Sequence, residues 1–275
     1  KSIQKFLSYF WIAVTGQESE FTTGSIRKAI FMLSIPMILE MLMESIFALV
    51  DIAYVSKVSV NAVATIGLTE SVVTLIYAVA IGLSMAATAV VARRVGEKDI
   101  NGAKEAAVQA IGLGVLVSIV VGVFGFIYAK DILSLMGAEP DLIAEGYGYT
   151  KLLLGGNLTI MLLFLINAIF RGAGDASIAM WTLVLSNGLN IILDPIFIFG
   201  WGPIPEYGVM GAAIATNIGR GTAVVFQLGI LFFGWGKIKL VFKDLVINIK
   251  VMLNLIRVSL GGIAQFLIGT SSWVF

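Results

Sequence analysis

Hydrophobic positions in this chain gather into long unbroken runs instead of alternating or marking one face of a surface helix. The runs cover residues 30–55, 65–91, 103–129, 149–170, 177–199 and 209–233, and a seventh starts near residue 253. A helix rises 1.5 Å per residue, so about 20 mainly apolar residues cross the hydrocarbon core of a bilayer. The pattern predicts an all-α polytopic membrane protein, a six-helix transmembrane bundle with part of a seventh helix. Secretory signals have a shorter apolar core followed by a small-residue cleavage site, so the first run reads as an uncleaved span.

Ahead of it, Ile3, Phe6, Leu7, Phe10, Trp11 and Val14 recur at helical spacing, which predicts a helix lying in the membrane interface. The stretch from Lys237 to Lys250 is expected to lie flat in the same way. The organisation that follows is an interfacial segment at 1–24, a bundle at 25–236, a cytoplasmic linker at 237–252 and the truncated start of a second bundle at 253–275. A faint repeat supports that division. Leu33-Ser34-Ile35-Pro36-Met37-Ile38-Leu39-Glu40 can be laid over Val258-Ser259-Leu260-Gly261-Gly262-Ile263-Ala264-Gln265, matching Ser34 with Ser259 and Ile38 with Ile263. A repeat recurring after an even number of spans predicts two halves of the same orientation. The chain begins at Lys1 without Met and ends at Phe275 inside a hydrophobic run, as expected of a fragment.

Small residues add a packing expectation. Gly102, Ala106, Ala110, Gly114, Ser118 and Gly122 recur every fourth position along the third run, and Gly211, Ala215 and Gly219 along the sixth. Such stripes let helix backbones approach closely where lipid provides no hydrophobic drive.

Composition narrows the function. The chain is 59% hydrophobic and 13% charged, with a net charge of +1 and a mean hydropathy of +0.99. That balance argues against a nucleic-acid partner, which calls for a basic face. Cys and His are absent, which removes disulfides, thiol catalysis and most zinc chemistry and leaves carboxylates to handle protons. Arg171-Gly172-Ala173-Gly174-Asp175 reads as a tight turn, since it lacks the Lys-Ser/Thr that completes a phosphate loop. No nucleophile–base pair or metal-ligand spacing stands out, so an enzyme, a cofactor and a bound metal are not expected. Lys and Arg cluster on one side of the spans: Lys1 to Lys28, Arg93 to Lys104, Arg171, and Lys237 to Arg257. Only Lys57, Lys130 and Lys151 fall on the other. The positive-inside rule then places the N-terminus in the cytoplasm of a multi-pass protein of the cell inner membrane.

Acidic residues at membrane depth carry the candidate chemistry. A charge there costs at least ~2.5–3.5 kcal/mol, so such residues face a bundle interior or a watery cavity. Glu40, Glu44 and Asp51 lie on one narrow face of the first run, with Glu44 about 40° and Asp51 about 20° around the helix from Glu40. Glu70 in the second run and Asp194 in the fifth fall at a depth similar to that of Asp51, so three carboxylates from three helices converge in the outer half of one bundle. Asn190, one turn before Asp194, shares its face, and Thr216 in the sixth run adds a hydroxyl at the same level. Pro195 removes a backbone donor and predicts a helix kink. Arg220, midway along the sixth run, is placed to pair with one of these acids. The cluster can hold H+ or Na+, and the residues leave both open.

Four segments, in order, resemble the multidrug and toxic compound extrusion (MATE) family: Ala48-Leu49-Val50-Asp51, Arg171-Gly172-Ala173-Gly174-Asp175, Asn190-Ile191-Ile192-Leu193-Asp194-Pro195 and Gly211-Ala212-Ala213-Ile214-Ala215-Thr216. The resemblance implies twelve spans in two six-helix bundles around a central cavity, of which this chain would be the N-terminal half. It also implies that Asp51, Asn190, Asp194 and Thr216 form a polar cluster that takes up a proton or cation to drive release of a small organic substrate, with membrane lipid and no nucleic acid as surroundings, in a monomer. The chain departs from the family pattern at Glu44, Glu70 and Arg220. Two rival readings are a lipid-linked oligosaccharide flippase of related fold, expected to line its cavity with basic residues, and a non-transporting membrane scaffold.

Overall fold

Each hydrophobic run folds as helix, and its ends are set by residues that satisfy or release the backbone. A computed structural model describes residues 2–16 and 25–271. Its helices are α1 (Ser2–Thr15), α2 (Ile26–Val55), α3 (Val60–Gly96), α4 (Ile100–Ile127), α5 (Ala129–Leu135), α6 (Pro140–Gly155), α7 (Asn157–Ala173), α8 (Ala176–Phe199), α9 (Val209–Phe233) and α10 (Ile249–Ser271). The Ser59 hydroxyl accepts from the Ala62 amide at the start of α3, and the Asp99 carboxylate accepts from the Gly102 amide at the start of α4. At the other ends, Gly174 and Gly234 close α7 and α9 in the left-handed region, with φ of 86° and 80°. Among the described residues seven segments are long and apolar enough to cross a membrane, α6 and α7 counting together as one.

Three details differ from the sequence expectation. The fourth span is broken: α6 ends at Gly155 and α7 begins at Asn157. Backbone groups loosened by the break need partners in a setting without water. Asn157 Nδ2 donates to the Leu154 carbonyl at 2.7 Å and to that of Ser118 at 3.2 Å, and Asn217 Nδ2 donates to that of Leu152 at 3.0 Å. A Cβ at Gly156 would collide with the Asn217 side chain, so the break and its repair require glycine. The third span stops at Ile127, and the short α5 turns over the end of the bundle.

The stretch from Lys237 to Lys250 is not a flat helix. It runs irregularly with one 3-10 turn at Phe242–Asp244, and α10 begins at Ile249. Tertiary bonds hold this path. The Leu240 amide donates to the Leu231 carbonyl at 2.9 Å. Gln109 on α4 accepts from the Asn248 amide at 3.0 Å and donates to the Val246 carbonyl at 2.6 Å. Ile238 and Leu240 are buried beneath it. A helix would have withdrawn those groups from Gln109 and Leu231.

Helix α1 forms as expected and packs on α2 and α8. Trp181 Nε1 donates to its Val14 carbonyl at 2.9 Å, and Lys28 Nζ stands 5.2 Å over the Tyr9 ring. The side chains of Ile3, Phe6 and Leu7, together with residues 1, 17–24 and 272–275, lie outside the described residues.

Packing centres on α7, whose residues from Ile160 to Phe170 are buried almost without interruption between α3, α4, α8 and α9. Both small-residue stripes are used. Along α4, Ala106, Ala110, Gly114, Ser118 and Gly122 are buried, with Gly114 against Leu165 and Gly122 against the Gly155 carbonyl. Along α9, Gly211 meets the Phe197–Ile198 backbone of α8, and Gly219 meets the Ser186 carbonyl. By contrast α2 packs along α8 and barely touches α3. The gap between α2 and α3 opens the interior.

A Gly211→Leu substitution would force the last turn of α8 away from α9 and is expected to cost about 1–3 kcal/mol. Thermal unfolding of the purified protein should show a clear drop in midpoint. Gly112→Leu, where a Cβ meets nothing within 4 Å, should leave it in place.

Candidate functional site

A cavity of about 400 Å³ occupies the gap between α2 and α3. Glu44 and Asp51 line it from α2, Glu70 and Tyr77 from α3, and Thr216 and Arg220 from α9. Phe47, Phe164 and Phe266 supply apolar wall, the last from α10. Four of the wall residues are ionisable acids or bases placed inside a bundle of apolar helices. An intramembrane carboxylate requires such an interior, set away from lipid.

Asp51 connects the cavity to a buried polar chain behind it. Its carboxyl group lies within hydrogen-bonding reach of that of Asp194 on α8. Two ionised carboxylates have no hydrogen between them, so this contact calls for a proton or a bound cation. With its amide nitrogen turned to Asp194, Asn190 donates to Oδ2 at 2.8 Å. The Asn190 amide oxygen then accepts from the Thr216 hydroxyl at 2.9 Å and from the Thr216 backbone amide at 3.0 Å. Asp194 is completely buried and Asn190 nearly so. One carboxylate oxygen of each aspartate, Asp51 Oδ1 and Asp194 Oδ1, has no hydrogen-bond partner among the described residues. The chain therefore runs from α2 through α8 to α9, with one free acceptor oxygen on each of its two aspartates.

A second group sits on the same wall. Arg220, one turn beyond Thr216 on α9, is 8% exposed. Its Nη2 donates to the Tyr77 hydroxyl at 3.0 Å and stands 3.9 Å from Glu44 Oε1. Glu44 Oε2 in turn accepts from Asn187 Nδ2 at 3.2 Å. Thr216 and Arg220 thus present a neutral acceptor network and a cation from adjacent turns of one helix face.

The sequence-predicted residues are brought together with one exception. Asp51, Glu70, Thr216, Arg220 and Glu44 share the cavity wall, and Asn190 and Asp194 lie just behind it. Glu40 is turned elsewhere: it pairs with Arg171 Nη1 at 2.9 Å, with side chains 9% and 20% exposed. The shared face of α2 does point inward at Glu40, but α7 meets it there with a guanidinium. Helix α8 runs through Pro195 and continues to Phe199. Two members of the site were missed. Asn187 lies three residues before Asn190, and Tyr77 seven after Glu70, so each falls on the face already singled out. The helical spacing was sufficient to find both.

Residues 36–196 match the MatE family. A probable multidrug resistance protein, NorM, of Thermotoga maritima is 29% identical over 195 residues, covering 71% of this chain and 42% of that protein. An FAD transporter of Shewanella oneidensis is 28% identical over 194 residues, covering 70% of this chain and 43% of that protein. A solved MOP superfamily transporter from Pyrococcus furiosus superposes with a TM-score of 0.82 at 30% identity, covering 91% of this chain and 56% of that one. The chain spans about half the length of the relatives it matches. Family and fold agree on a multi-pass membrane protein.

Removing one partner of the Glu40–Arg171 pair leaves a charge stranded inside the bundle. Arg171→Gln is expected to cost about 2 kcal/mol, reduced from the fully buried case by the partial exposure of Arg171. Adding Glu40→Gln should restore part of that loss. A double-mutant cycle on thermal unfolding would read the coupling, and strict additivity would show that the pair contributes nothing.

Proposed function

The chain belongs to the MatE family, and on that footing we propose that it forms the ion- and substrate-binding bundle of a cation-coupled antiporter. The exported species is a small organic molecule and the coupling ion is H+ or Na+. The observation that carries this reading is the position of Asp51, which belongs at once to the cavity wall and to the buried Asp194–Asn190–Thr216 chain.

That shared position makes exchange a local competition. A proton or Na+ arriving at the aspartate pair neutralises Asp51 and weakens its attraction for a positive group in the cavity. A positive group in the cavity favours the ionised form and expels the cation. Binding energies that differ between two conformations then drive the equilibrium between them. Asp194 precedes Pro195, which has no N–H to return to the helix, so charge changes at Asp194 fall where α8 is easiest to bend. Alternating access follows if this bundle rocks against a second one of the same orientation. The distribution of Lys and Arg supports a cytoplasmic N-terminus in the inner membrane, and nothing in the mechanism calls for more than a monomer. The acidic character of the wall, with three carboxylates against one guanidinium, speaks against a flippase built to grip a pyrophosphate.

The test is efflux of a fluorescent organic cation from vesicles carrying the full-length protein, under an imposed pH or Na+ gradient. Asp194→Asn is expected to reduce gradient-driven efflux by at least about tenfold, the equivalent of about 1.4 kcal/mol of lost coupling. Thr216→Val should cause a smaller loss, since Asn190 retains its bond to Asp194. The gradient that works names the ion, and efflux unchanged in Asp194→Asn would overturn the aspartate's role.

A further inference from the structure

Arg220 has more hydrogen-bonding capacity than the protein uses. A guanidinium offers five N–H donors in a planar fork, and a buried one is normally engaged by a carboxylate on two of them. Here, among the described residues, the fork makes one hydrogen bond, to Tyr77 Oη at 3.0 Å. The carboxylate beside it, Glu44, stands at 3.9 Å, outside hydrogen-bonding range, and is already bonded to Asn187 through its other oxygen. Arg220 is 8% exposed, and the space it faces is the cavity. Leaving charged donors unsatisfied in a confined site is costly, and an oxyanion in the cavity would satisfy them.

The rest of the wall fixes what else that ligand carries. The carboxylates of Glu70 and Asp51 line the same space. These oxygens accept from a positive group but repel a second anion. A plain organic cation would satisfy them and leave four of the guanidinium's donors without a hydrogen bond, its charge faced by Glu44 at 3.9 Å, with a like charge brought near it. A plain anion would meet the reverse problem. We propose that the cavity selects an organic zwitterion, with its carboxylate held by Arg220 and its positive nitrogen by Glu70 and Asp51. Tyr77 anchors one corner of the Arg220 guanidinium, and both residues line the cavity. The Tyr77 ring lies 5.6 Å from that of Phe164, which gives a flat ligand an aromatic wall beside the fork. Arg220 is thereby the specificity-determining residue, and this assignment rests on the transport reading above.

A matched pair of dyes tests it. Rhodamine 110 carries a free carboxylate on a cationic xanthene, and rhodamine 123 is its methyl ester, so the two differ only in the group assigned to Arg220. Fluorescence anisotropy with the purified full-length protein should show rhodamine 110 bound about tenfold or more tighter than rhodamine 123, the scale of a charge-assisted pair. In Arg220→Gln the ratio should collapse to about one or invert. Arg220→Lys keeps the charge and α9's surroundings but loses the planar fork, so it should retain only part of the preference. Thermal unfolding checks that each variant is folded. A wild-type ratio near one, an Arg220→Gln change that weakens both dyes equally, or an Arg220→Lys ratio identical to wild type overturns the assignment and makes Arg220 a counter-ion of the bundle. Gradient-driven efflux of rhodamine 123 in vesicles, with rhodamine 110 ignored, overturns the assignment while the antiport reading stands. Neither dye bound nor moved under either gradient overturns both.

Discussion

The contact between Asp51 and Asp194 joins a peripheral helix, α2, to the interior of the bundle, and much of the architecture answers the demand it makes. Carboxyl groups at this depth cannot face hydrocarbon, so α2 must turn its acidic face inward although it buries little else. It does so by lying along α8, where Asp194, Asn190 and Asn187 offer polar partners, and by standing off from α3. The cavity is the space left by that compromise. Because Asp51 borders this space and also belongs to the buried chain, a change in its charge is felt on both sides at once.

Small residues make the arrangement possible. Helix α9 can hold Thr216 against Asn190 only because Gly211 and Gly219 allow its backbone to lie on that of α8. The break at Gly155–Gly156 acts similarly on the other side. The last carbonyls of α6 there, Leu152 and Leu154, gain side-chain donors from Asn217, the residue that follows Thr216, and from Asn157. One turn of α9 therefore carries Thr216 toward the acids, Asn217 toward the broken helix and Arg220 toward the cavity. Packing and chemistry are interleaved along a single helix.

Charge is distributed by the same logic at two levels. Between α2 and α7, Glu40 and Arg171 close on each other at 2.9 Å and are consumed by the structure. In the cavity Arg220 and Glu44 remain 3.9 Å apart, a separation that leaves each able to meet something else. Both pairs join residues with opposite charge on facing helices. What separates a structural pair from an available one is about an ångström between the charged atoms.

The spans, the polar cluster and the departure at Arg220 were legible from the chain because hydrocarbon enforces simple rules. Apolar length defines a crossing helix, and acids one or two turns apart on α2 must share a face, whatever the neighbours are. Asn187 and Tyr77 obeyed the same spacing and could have been read from it. The partners of those acids were a different matter. Nothing local says that Glu40 meets Arg171, more than a hundred residues away, while Glu44 meets Asn187 and Arg220, since α2 presents all of them on one stripe. The broken fourth span and the irregular path before α10 were equally hidden. Gly155-Gly156 lowers helix propensity at the break without fixing it, and both conformations rest on bonds from Asn217, Gln109 and Leu231, distant in sequence. The sequence by itself determined which residues must avoid lipid. Only the tertiary structure decided which of them pair off and which remain open to a ligand, because that choice depends on which residues of distant helices the packing brings face to face.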